Sequence, residues 1–83
     1  MHKKIEIYTV DYCPYCHKAL EFFKKNQIAF EQIDISDNER EMRKKLGEMY
    51  NIVGDVTVPQ IIVDGVRLGG YDDLMANPEI VLG

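Results

Sequence analysis

The sequence holds two cysteines, and they lie close together in Cys13-Pro14-Tyr15-Cys16. A disulfide between them closes a loop too short to restrict an unfolded chain much, so the pair is a poor staple and is placed for chemistry. Two chemistries use this spacing. It supplies half of many zinc sites, and it is the minimum machinery of thiol–disulfide exchange. The other half of a zinc site is missing here. The strong nitrogen donors are His2 and His17, and His17 follows Cys16 directly, so on a helix the two point to different sides. No metal is expected, and His17 is read as surface.

In exchange chemistry a thiolate attacks a disulfide sulfur, and a second thiol displaces the bound partner. A helix N-terminus favours the first step, because free backbone N–H groups and the positive end of the macrodipole stabilise charge on sulfur. Pro14 suits the first helical position and carries no N–H of its own. Cys13 is therefore the candidate attacking sulfur and Cys16 the resolving one. The spacing of Cys16, Ala19, Leu20 and Phe23 is that of a buried stripe on a helix from Pro14 to about Lys25, which leans Cys16 inward.

The elements that would position this helix can be read around it. Residues 4–10 alternate as a strand, with Ile5, Ile7 and Thr9 on one face and Glu6, Tyr8 and Val10 on the other, before a turn at Asp11-Tyr12. A second strand is expected over 29–33, parallel to the first because a helix connects them. Ser36 with Glu39 reads as a capping box opening a helix to about residue 50, with Met42, Leu46 and Met49 inward and Glu39–Arg43 and Glu41–Lys45 pairs outward. Residues 58–63 read as a strand, Asp64-Gly65 as a hairpin turn, and 66–68 as its antiparallel partner. After Gly69-Gly70 a short helix runs over 71–76, and Pro78 ends it.

Ten basic against fourteen acidic residues give a net charge of −4, the wrong sign for binding nucleic acid through phosphates. The basic runs at Lys24-Lys25 and 43–45 sit among acidic neighbours and read as solvated helix faces. No apolar stretch approaches the ~20 residues that cross a bilayer, and neither a signal peptide nor a lipidation signal is read, so a cytoplasmic protein is expected. A chain of 83 residues reads as one domain, 1–83, and as a monomer.

Three segments together carry a resemblance. Cys13-Pro14-Tyr15-Cys16 after a strand, Thr57-Val58-Pro59-Gln60-Ile61 before another, and Gly69-Gly70-Tyr71-Asp72-Asp73-Leu74 near the end resemble the glutaredoxin family, in its dithiol, small bacterial-type class. The resemblance implies an α/β, thioredoxin-like fold: a four-stranded mixed sheet flanked by three helices, in the order β-α-β-α-β-β-α. It implies a cis Val58–Pro59 bond and a glutathione site formed by Tyr15, Thr57, Val58, Pro59, Gly70, Tyr71, Asp72 and Asp73. Within it Asp72, assisted by Asp73, would receive the amino group of the glutamyl end.

The implied activity is glutathione-dependent reduction of disulfide-bonded or glutathionylated proteins, with glutathione as co-substrate and no tightly bound cofactor. The chain departs from the family pattern where Val10 replaces a usual Lys and where Asp55 stands near a usual basic residue. Lys18, Lys44 and Arg67 are the cations that could compensate. Two other readings share the motif: a redoxin fed by thioredoxin reductase, and an iron–sulfur carrier in which two chains share a cluster through Cys13 and glutathione.

Overall fold

A computed structural model describes residues 3–82, which leaves the candidate donor His2 outside the described residues. The N-terminal alternation becomes strand β1 (Ile5–Thr9). Its two faces feed two separate apolar clusters. Ile5 and Ile7 pack with Ala19, Leu20, Phe23, Ile61, Val63, Leu74 and Val81. On the other side Tyr8 joins Val10, Cys13, Cys16, Ile35, Leu46, Val56 and Ile62. A strand covered on both faces shows no clean burial alternation, which is why Tyr8 and Thr9 are buried together.

Helix α1 (Pro14–Lys25) follows, with Cys16, Ala19, Leu20 and Phe23 buried as its spacing predicts. Lys24 and Lys25 in its last turn complement the dipole. Strand β2 (Glu31–Asp34) then pairs parallel to β1, with Tyr8 opposite Ile33. After a 3-10 turn, Ser36–Asn38, comes α2 (Glu39–Met49), then β3 (Gln60–Val63), β4 (Val66–Gly69), α3 (Tyr71–Ala76) and α4 (Glu79–Leu82). The sheet order is β2-β1-β3-β4, with β3 antiparallel to both β1 and β4. Asp64 and Gly65 take φ of 51° and 81° in the hairpin, the left-handed pair that matches strand twist. The expected four-stranded mixed sheet and three helices are all present.

Four details differ from expectation, each for a tertiary reason. The Ser36–Glu39 capping box does not form. Ser36 Oγ instead accepts the Asp11 N–H at 2.9 Å, the Ser36 N–H donates to Asp34 Oδ1, and the Glu39 carboxylate faces Tyr12 and Arg43. Met49 is 61% exposed, because only Met42, Leu46 and Tyr50 of that stretch face the second cluster. Two strands start later than predicted: Phe30 packs at a tilt against Phe23 instead of entering β2, and β3 begins only after the cis Val58–Pro59 bond. Lastly, Pro78 does more than end α3. It starts α4, whose Leu82 N–H donates to the Pro78 carbonyl and whose Val81 enters the first cluster.

Candidate active site

β1 and the Asp11-Tyr12 turn deliver Cys13 to the N-terminal end of α1, where it is the N-cap residue in extended conformation. Its sulfur does the work that a Ser or Asp oxygen does at other N-caps: Cys13 Sγ accepts the Cys16 N–H at 3.1 Å. A negative sulfur would receive a charge-assisted hydrogen bond there, of a kind worth about 1.5–3 kcal/mol. As a thiol, the same atom donates to the Val58 carbonyl at 3.6 Å. Both cysteines are free, Cys13 with 7% of its surface exposed and Cys16 with none. Burial first, then the hydrogen bond with Cys13, pushes the Cys16 thiol up to about 12. The resting Cys16 is therefore a protonated, inward-facing thiol beside a capped sulfur, an arrangement suited to acting second.

The cis Val58–Pro59 bond, which the resemblance implied, turns the chain so that Val58 faces both Cys13 and an open groove of about 410 Å³. That groove is lined by all eight residues named for glutathione: Tyr15, Thr57, Val58, Pro59, Gly70, Tyr71, Asp72 and Asp73. Cys13 is not in its wall, but its sulfur lies 3.6 Å from the carbonyl oxygen of Val58, which is. Tyr15 and Tyr71 form an aromatic side, their ring centroids 5.9 Å apart.

The floor at α3 depends on one glycine. Gly69 has φ of +125°, and a Cβ there would fall 2.2 Å from Asp73 Oδ2. That carboxylate accepts the Gly70 N–H at 2.9 Å, so Asp73 caps its own helix while Asp72, beside it, is exposed. Gly70 is less constrained, since an added Cβ would only touch the Pro59 carbonyl at 3.5 Å.

The position of positive charge is what sequence reasoning could not reach. Val10 is 1% exposed and part of the second cluster, and Asp55 is exposed. Of the three cations named as substitutes, Arg67 lines the groove, Lys18 Nζ sits 5.0 Å over the Tyr15 ring, and Lys44 borders a different hollow at the start of α2. Gln60, which carries no role in the sequence reading, also lines the groove. Its signal was a lone amide ahead of the apolar run Ile61-Ile62-Val63, since buried polar groups are kept for their hydrogen bonds. A fourth cation comes from α2: Arg43 pairs with Glu39 at 2.8 Å and donates to the Val56 carbonyl, while the Tyr12 hydroxyl donates to Glu39. This chain of contacts ties the residue before Cys13 to the loop before Pro59. His17 is exposed as expected, and among the described residues no three His, Cys, Asp or Glu side chains gather as a metal site.

The glutaredoxin family model matches residues 5–68. Glutaredoxin 3 of Escherichia coli (strain K12) is 40% identical over 72 residues, covering 87% of this chain and 82% of the relative. Among solved structures, glutaredoxin 1 from Francisella tularensis, complexed with cacodylate, superposes with a TM-score of 0.84 at 32% identity over 96% of each chain. A buckwheat glutaredoxin–glutathione complex has the same fold, with a TM-score of 0.79 at 20% identity over 93% of this chain and 69% of that one.

Proposed function

Since the chain belongs to the glutaredoxin family of thiol–disulfide oxidoreductases, we propose that it reduces protein disulfides and glutathione mixed disulfides in the cytoplasm at the expense of glutathione. Cys13 attacks the disulfide sulfur, one thiol of the substrate leaves as thiolate and takes a proton from water, and the other half stays on Cys13 as a mixed disulfide. In the monothiol route the half held on Cys13 is glutathionyl, and a glutathione thiolate attacks its sulfur, releasing oxidised glutathione and the Cys13 thiolate. In the dithiol route Cys16 loses its proton and attacks Cys13 Sγ, forming the intramolecular disulfide and expelling the bound thiol. Two glutathiones then restore both cysteines and leave as oxidised glutathione.

The observation that carries this reading is the continuity of Cys13 with the groove through Val58, whose carbonyl accepts the Cys13 Sγ–H at 3.6 Å. A peptide strand lying along Val58 would bring its own sulfur beside Cys13. Asp72 and Asp73 would meet an ammonium, and Tyr15 and Tyr71 would flank the ligand.

The test is glutathione-coupled reduction of a small mixed disulfide by wild type, Cys13→Ser and Cys16→Ser. Loss of activity in the first variant and its retention in the second are expected. Inactivity of the wild type with glutathione, together with turnover by a thioredoxin reductase, would reject glutathione as the electron donor.

A further inference from the structure

We propose that Arg67, held over the groove by the buried amide of Gln60, is the residue that binds a carboxylate of glutathione, so that ligand charge is read from strand β4. The proposal rests on the glutathione reading above and deepens it by naming the specificity residue.

Gln60 is 3% exposed, so both ends of its amide must find partners inside the protein. Its Nε2 donates to the Thr57 carbonyl at 2.8 Å. That contact fixes which way the amide points, because the reverse orientation would set oxygen against oxygen. Oε1 is thereby turned toward Arg67, whose Nη1 donates to it at 3.4 Å. One of five guanidinium donors is lightly engaged, which restrains the side chain and leaves its remaining donors for a ligand.

The other charges make Arg67 the suitable partner. Among the described residues it takes part in no salt bridge, although Asp72 and Asp73 line the same groove. Arg43 is engaged by Glu39 and Val56, Lys18 lies over the Tyr15 ring, and Lys44 borders another hollow. The groove thus offers a carboxylate pair and one fork-shaped cation, the complement of a peptide bearing an ammonium and a carboxylate. A guanidinium can grip a carboxylate through two parallel hydrogen bonds, which an ammonium cannot.

The test compares two forms of one peptide, carrying at its cysteine either a glutathionyl group or a neutral hydroxyethylthio group, as substrates for wild type, Arg67→Gln and Arg67→Lys. Wild type is expected to prefer the glutathionyl form. Arg67→Gln should lower kcat/KM for that form by about tenfold or more, the scale of a charge-assisted hydrogen bond, mostly through KM. Its kcat/KM for the hydroxyethyl form, which in a ping-pong cycle reads only the steps before glutathione enters, should stay within about twofold, and Arg67→Lys should recover part of the loss. An equal fall on both substrates, or no fall on either, would overturn the proposal. A wild type without preference for the glutathionyl form would reject the glutathione reading itself, and this inference with it.

Discussion

Cys16 has no solvent exposure and packs in the cluster that contains Val10, Ile35, Leu46 and Val56. Its thiol is pushed from an ordinary 9.0 up to about 12 by burial and then by its hydrogen bond with Cys13. A thiol is neutral when protonated, so above pH 9 the unfolded chain gives up this proton while the folded chain keeps it. The unfolded state then binds fewer protons, and stability falls as pH rises. At about 1.36 kcal/mol for each tenfold difference in proton affinity, the full loss is roughly 4 kcal/mol, reached only near pH 12. Below pH 9 this group costs nothing.

Cys16→Ala isolates the effect. At neutral pH the variant should be the less stable by on the order of 1 kcal/mol, for the lost packing of the sulfur. Urea denaturation of both proteins under reducing conditions, from about pH 7 to pH 10.5, should show the wild type losing its advantage above pH 9. By pH 10.5 the difference between them should have moved by roughly 2 kcal/mol in favour of the variant. Lysines and tyrosines titrate in both proteins and cancel in the comparison. Parallel curves would mean that Cys16 ionises as readily folded as unfolded, and the account of a resolving thiol held in reserve by burial would be wrong.

Substitutions at Gly69, Gly70 and Arg43 test how the site is held. Gly69→Ala should cost roughly 2–4 kcal/mol, combining a strained φ with displacement of the Asp73 cap, whereas Gly70→Ala should stay within about 1 kcal/mol, and denaturation midpoints will separate the two. Arg43→Met removes the donor to the Val56 carbonyl and the partner of Glu39, so calorimetry should show a loss of about 1–3 kcal/mol, with Arg43→Lys recovering only part of it.

The parts of this molecule legible in its sequence are those whose cause is local. The stripe of α1 is legible in full because Pro14 marks its start and a period of 3.6 decides its inner face. Asp64-Gly65 is legible as a turn because its backbone conformation suits those residue types. The capping box failed where a local preference met a distant competitor. Ser36 found the amide of Asp11, and Glu39 found Tyr12 and Arg43, none of which a window around residue 36 could rank against a helix cap.

Charge at the site belongs to the same class of question, because it cannot be read from single positions. Val10 and Asp55 do remove cations from two positions in the chain. Yet long basic side chains reach across elements, so the charge near a groove is a property of the assembled surface. Arg67 faces the groove from the hairpin partner of β3, and Arg43 reaches the Val56 carbonyl from the helix that precedes that loop. The restraint on Arg67 also depends on Gln60 being buried, which follows from the sheet being covered on both faces. An amide at the head of β3 and a guanidinium on β4 acquire a joint role only when the hairpin brings them together.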